Sequence, residues 1–260
     1  IILGIIHILV IAICIILSVR IFDYTYNYFV NGKFIGHTED NRFATTMAFY
    51  TSEREYVKYI EPGLQELYLE IYDECDKNKW LMHDSPENWL GAVAHFGDSY
   101  DYIQLNTMEM KIIDAVSKAD YSWLGTGDTK DLIRGSFNKS LLPYETNKLM
   151  RVFFNNFLSG MVNTVAVRTL LLCVYSLLIY TIYLICITYF IVFRKRSNIH
   201  KRILCMSVVV AISIVSNVAL VSALIFAQTR YTIYNMPLFY IALIIMLYQI
   251  YADVFLKRNN

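Results

Sequence analysis

Cysteine is scarce where a disulfide scaffold would need it. Of the five cysteines, Cys14, Cys173, Cys186 and Cys205 sit in apolar runs, which leaves Cys75 alone in the polar part of the chain. One thiol cannot close an internal bridge, so that part must hold together by burying apolar surface. No strand-like alternation of useful length appears, nor any internal repeat or low-complexity tract. No motif points to a metal or a cofactor: a phosphate-cradling glycine loop, a paired-cysteine metal motif and a nucleophile elbow are all missing. The chain starts with Ile rather than Met, and no basic residues precede its first apolar run. A piece of a longer protein is therefore the expectation. A cleaved signal peptide would carry a shorter apolar core and an A-x-A-like site, which ILSVR does not supply.

What is present is oil, unevenly distributed. Hydrophobic residues make up 56% of the 260 positions and charged residues 17%, at a mean hydropathy of +0.40. That is too apolar for a water-soluble globule and too charged for a chain wholly in lipid, so the two must be segregated. Residues 1–19, 169–193, 203–227 and 236–252 each approach the length a helix needs to cross about 30 Å of hydrocarbon. The expected architecture is all-α: a polytopic membrane protein with four transmembrane helices and one extracytoplasmic helical domain. Its parts are a first span at 1–22, the domain at 23–160, the other three spans at 161–256, and a tail at 257–260.

Orientation follows from the basic residues. The loop RKRSNIHKR, 194–202, holds five Lys/Arg and no acid, and the chain ends LKRNN. Both read as cytoplasmic by the positive-inside rule, which puts residues 23–160 outside a cell membrane. That segment carries 21 Asp/Glu against 13 Lys/Arg, an acidic balance that excludes nucleic acid as the expected partner. Within it, Leu64, Leu67, Tyr68, Ile71, Tyr72 and Cys75 recur at helical spacing after Pro62. A second helix is expected after Ser85 as cap and Pro86 as first residue, carrying Trp89, Val93, Phe96, Tyr100 and Ile103. TMEMKIIDAVSK continues that helix or starts another, YSWLGTGDTKD is a loop, and further helices are expected at Asp131 to Phe137 and in PYETNKLMRVFFNNFL.

Candidate site residues each have a plain structural alternative. His95, Asp98 and Asp101 fall at i, i+3 and i+6, the spacing of an acid–base or metal-binding face and equally of an ordinary solvated one. His83-Asp84 reads as a helix-entry loop, and Asn138-Lys139-Ser140 matches the N-glycosylation acceptor. Asn217 lies mid-span among Ser207, Ala211, Ser216, Ala219, Ala223 and Ala227, a small-residue seam where one amide needs a partner. Asp253 has Lys257 four residues on, an i, i+4 pair. Tyr175, Tyr180, Tyr183 and Tyr189 are too spread in depth for an interfacial belt, so some are expected inside a bundle. Asp23 follows the first span; a carboxylate there is a general base or a boundary residue neutralised by Arg20.

Arg230 and Tyr231 stand between two apolar runs, with Pro237 opening the second. An arginine at that depth snorkels to the headgroups, or clamps a phosphate with its planar fork. The Arg-Tyr pair ahead of a proline-started terminal helix resembles the last hairpin of GT-C glycosyltransferases, which use polyprenyl-phosphate sugars. The resemblance implies that Arg230, with Tyr231 beside it, contacts the phosphate of a lipid-linked sugar donor. It assigns no catalytic carboxylate here, because that residue belongs to an earlier exterior loop of the family. The rival expectation is a non-enzymatic receptor or assembly subunit whose acidic helical domain binds a partner protein. A transporter subunit would want broken spans or several intramembrane charges.

Overall fold

The computed structural model describes residues 41–125, 127–165, 170–224 and 235–256, together with Cys14, Leu17, Ser18, residues 20–30, Gly32 and Phe34. None of the described residues lies in a strand, and the fold is all-α. Helix α1 covers residues 20–30, so the helix runs on through Asp23 rather than ending before it.

The polar domain is built from α2 (Arg42–Thr51), α3 (Gln65–Lys77), α4 (Trp89–Asp101), α5 (Met110–Lys118) and α6 (Thr129–Leu141), closed by the first half of α7 (Thr146–Val165). Phe49, Tyr68, Ile71, Phe96, Ile103, Ile133 and Phe137 form its core. The Phe49 ring packs edge-on against Phe137 at 5.3 Å between centroids, one of the aromatic pairs that favour this arrangement. Pro62 opens a short 3-10 turn that feeds α3, as its fixed φ favours. Helix α4 starts three residues later than Pro86 would place it. Asn88, not Ser85, is its cap, and its side chain accepts from Gly91 N at 2.7 Å. Between α4 and α5 the chain continues without a break as wider, π-helical turns over Tyr102–Glu109. The loop before α6 contains Gly125 and Gly127 at φ +126° and +156°, a backbone region that L side chains avoid.

One buried ion pair crosses this core. Arg134 on α6 is 1% exposed and pairs with Glu109, which also meets Lys130 Nζ at 3.3 Å. Another charge, the fully buried Glu145, sits 3.6 Å from Lys148 Nζ, whose other contacts are Glu53 Oε1 at 2.6 Å and the Thr51 carbonyl at 2.9 Å. Burial pushes the Glu145 carboxyl above its ordinary value, with Lys148 opposing the shift.

The apolar part comprises α8 (Leu170–Val192), α9 (Asn198–Leu224) and α10 (Met236–Tyr251). Three stretches here, Cys173–Val192, Asn198–Ala223 and Met236–Phe255, are long and apolar enough to cross a membrane. They turn Leu177, Leu184, Val209, Ile212, Ile241 and Ile244 outward, as lipid-facing helices do. These three spans belong to an integral membrane protein. The expected span at 1–22 lies mostly outside the described residues. Pro237 falls in the first turn of α10, where its missing N–H has no cost. The basic stretch 194–202 is shorter as a loop than its charge suggests, since α9 already begins at Asn198. Ser197 Oγ accepts from His200 N at 3.3 Å and so caps that start.

Helix α7 belongs to both parts. Leu149 and Val152 pack on the domain core, while Phe157 and Met161 pack on the bundle. The carbonyls of Met161 and Val162 accept hydroxyls of Tyr180 (2.9 Å) and Ser176 (3.3 Å) from α8.

Candidate functional site

Where α2, α4 and α7 meet, they leave a cavity of about 230 Å³. Its apolar wall is Met82, Val93, Phe96 and Val152, and its polar lining includes Tyr50, Ser85, Glu87, Arg151, Asn155 and Asn156. The placement follows from local structure. Arg151 and Asn155 lie one helical turn apart and so share a face of α7, and Val152 and Asn156 form the next row beside them. Trp89 Nε1 donates to the Asn155 carbonyl at 3.2 Å and pins the start of α4 to that face. Ser85, released from capping duty, enters the lining.

Several buried side-chain polar atoms lack a hydrogen-bond partner among the described residues, and Asn156 is the one of them that lines this cavity. It is 1% exposed, yet its amide nitrogen has no hydrogen-bond partner among the described residues. A buried donor left unmade costs about 1–3 kcal/mol, and such a group in a native protein calls for an explanation, of which a bound water, ion or ligand is one. Arg151 and Glu87 are exposed and place one charge of each sign on the lining. Tyr50 lies deeper. Burial pushes its phenol up to about 12, although Ser85 and Arg151 act in the opposite direction, so it is a neutral hydroxyl at physiological pH.

His83 lines the same cavity and faces outward to two carboxylates. Its Nε2 is 2.9 Å from Asp76 Oδ1 and 3.4 Å from Asp84 Oδ2, and the three ligand-type atoms lie within 4.8 Å of one another. Sequence reading treats His83-Asp84 as a loop because Asp76, the third member, sits on another element.

The expected site residues are dispersed. His95 does not meet Asp98 or Asp101 in a reactive cluster: its Nδ1 is 3.1 Å from Tyr50 OH and its Nε2 is 2.9 Å from the Lys79 carbonyl, while both aspartates face solvent. Lys79 holds that carbonyl in a left-handed conformation, φ 58°, where α3 ends. Asp23 is half-buried in α1, and Asn27 Nδ2 donates to it at 3.4 Å. Asn217 is half-buried in α9, and the fully buried small residues of that helix are Ser207 and Ser222. The Asn138 side chain is buried and donates to the Asn41 carbonyl at 3.2 Å, which removes it as a glycan acceptor. Arg230 and Tyr231 lie outside the described residues.

Comparison with protein-family models, curated proteins and solved structures finds no match to this chain. Its function has to be read from its own geometry.

The i, i+4 partner expected of Asp253, Lys257, lies outside the described residues, and Asp253 itself stands at the far end of the bundle. Its carboxylate accepts from Tyr189 OH at 3.1 Å and Gln249 Nε2 at 3.1 Å, lies 2.6 Å from His200 Nε2, and has Arg196 at 3.8 Å. The other ring nitrogen of His200 meets Ser197 Oγ at 2.6 Å. This network ties α8, α9 and α10 together in a place where an unpaired carboxylate would be costly. Tyr183, whose hydroxyl donates to the Ser207 carbonyl at 2.9 Å, does the same at mid-depth.

Proposed function

We propose that the protein is a membrane-anchored binding protein of receptor or assembly-subunit type, and that its helical domain takes a small zwitterionic ligand of the amino-acid class in the α2–α4–α7 cavity. The observation that carries this reading is the buried, unpartnered amide of Asn156 in the wall of that cavity. Around it the chemistry is complementary to a zwitterion. The Arg151 guanidinium and the Asn156 amide suit a carboxylate, Glu87 suits an ammonium group, and Met82, Val93, Phe96 and Val152 suit an apolar side chain. Helix α7 gives binding a consequence, because it carries Arg151 and Asn156 of the cavity as well as Phe157 and Met161 of the bundle.

The test is a thermal-shift and calorimetric screen of free amino acids against the full chain in detergent or nanodiscs. A ligand present at 100 times its Kd stabilises the fold by about 2.7 kcal/mol. Arg151→Gln and Glu87→Gln should each weaken that response. If no amino acid shifts the melting temperature, or if both variants respond like wild type, the reading is wrong.

The GT-C reading stands as a second proposal, supported by Pro237 at the start of α10. It expects Arg230→Ala to lower transfer from a polyprenyl-phosphate sugar while membrane insertion persists. Unchanged transfer would remove Arg230 from that role.

A further inference from the structure

The turn between α8 and α9 carries more positive charge than the protein around it neutralises. Residues 161–260 contain nine Lys/Arg and a single acid, Asp253. That acid is already committed to His200 and Arg196. Arg194, Lys195 and Lys201 have no carboxylate within ion-pair distance among the described residues, and all three are exposed. They are also not scattered. Together with Leu204, Cys205, Val208 and Val209 they line an open cleft of about 530 Å³.

The order of residues along α9 gives the cleft its polarity. Lys201, then Leu204 and Cys205, then Val208 and Val209 fall at i, i+3, i+4, i+7 and i+8, a single stripe of the helix surface. The stripe begins with a cation at the end of the span and continues apolar for two turns into it. Arg194 and Lys195 reach the same mouth from the end of α8. A cationic mouth above a greasy wall, at the boundary where a span leaves the hydrocarbon, matches a molecule with an anionic head and an acyl tail. A soluble anion would leave the apolar wall without a purpose, and a zwitterionic lipid would leave the three cations uncompensated.

We infer that this cleft is a binding site for an anionic phospholipid, with Arg194, Lys195 and Lys201 on the phosphate and Leu204, Val208 and Val209 along the first part of an acyl chain. The site is independent of the ligand cavity on α7. Lipid held there would bridge the ends of α8 and α9 beside the Asp253 network, so the same leaflet charge that orients the turn would also brace the bundle.

The test uses the full chain reconstituted in phosphatidylcholine bilayers carrying a trace of spin-labelled lipid. Electron paramagnetic resonance reads the fraction of label immobilised by the protein, for phosphatidylglycerol and phosphatidylcholine labels separately. Wild type should prefer the phosphatidylglycerol label. Each cation near the surface contributes about fivefold in affinity, so Lys201→Gln should reduce the preference by about that factor. This single substitution leaves four of the five basic residues of 194–202 to keep the orientation. Arg202→Gln, outside the cleft lining, should reduce the preference clearly less than Lys201→Gln does. Equal immobilisation of both labels, or equal loss in the two variants, would overturn the site. Displacement of the lipid by inorganic phosphate at constant ionic strength would also overturn it, since a soluble anion would then be the better occupant.

Discussion

Replacing Asn156 by leucine should make the protein more stable and less functional at once. The two side chains have the same number of heavy atoms and branch at the same carbon, so the cavity wall keeps its outline while a 1% exposed amide with an unpartnered nitrogen is replaced by an apolar group that needs no partner. The desolvation cost removed is about 1–3 kcal/mol. At roughly 3 °C per kcal/mol for a domain of this size, the melting temperature should rise by about 3–9 °C. Intrinsic tryptophan fluorescence suits the assay, because Trp80, Trp89 and Trp123 all lie in the domain. The same variant should lose the ligand-induced shift of wild type, since the donor that would meet the ligand carboxylate is gone. A fall in melting temperature would show that the amide is satisfied in solution. A gain in stability with ligand response intact would show that the cavity is not where the ligand sits. Either result refutes the reasoning.

Other substitutions probe the scaffold. Glu145 is an acid whose folded pKa is raised by burial, so it weakens the fold increasingly as pH rises from its ordinary 4.5 through the raised value, and the cost is relieved below that window. Glu145→Gln should therefore raise the melting temperature more at pH 8 than at pH 4, and an equal gain at both would contradict the assignment. Lys79→Gly should stabilise by about 1 kcal/mol, because φ 58° is strained for lysine and free for glycine; chemical denaturation of the two chains compares them directly. Asp253→Asn should destabilise the bundle by about 3–5 kcal/mol, since it breaks a buried pair and leaves His200 with a weaker partner. Melting followed by helical circular dichroism in detergent would read that loss, and an unchanged midpoint would mean the network contributes little.

The elements that could be read from the sequence are those whose signal is local. Leu64, Leu67, Tyr68, Ile71, Tyr72 and Cys75 announce α3 by spacing alone, and Leu67 to Cys75 are buried as that spacing requires. The apolar runs announce α8, α9 and α10 in the same way, and the two glycines of YSWLGTGDTKD mark a loop whose backbone needs them. Helix α2 gave no such signal: RFATTMAFYT mixes β-branched threonines with its apolar residues, and tertiary burial rather than periodicity holds it. The start of α4 went to Asn88 because two cap-capable residues, Ser85 and Asn88, compete within one turn and only packing decides between them.

The candidate site was the least legible part, because everything that defines it is a contact between elements far apart in sequence. Asn156 reads as one of several polar residues on a helix leading to the membrane, and nothing in FFNNFL says that its amide will be buried without a partner. His95 shows the converse. Its spacing with Asp98 and Asp101 looked chemical, yet Tyr50, 45 residues away, and the Lys79 carbonyl take up both of its ring nitrogens. Asp253 and His200, 53 positions apart, meet only because three spans pack side by side. An i, i+4 reading of Asp253 looks only along its own helix and so misses the histidine that a neighbouring helix brings to it.

The division of the chain between a lipid-embedded bundle and a water-borne domain underlies all of these expectations, and brominated lipids test it directly. In bilayers brominated deep along the acyl chain, fluorescence from the native Trp80, Trp89 and Trp123 should be nearly unquenched, whereas a tryptophan placed at the outward-facing Ile244 by Ile244→Trp should be quenched strongly. Strong quenching of the native tryptophans, or none at position 244, would contradict the account.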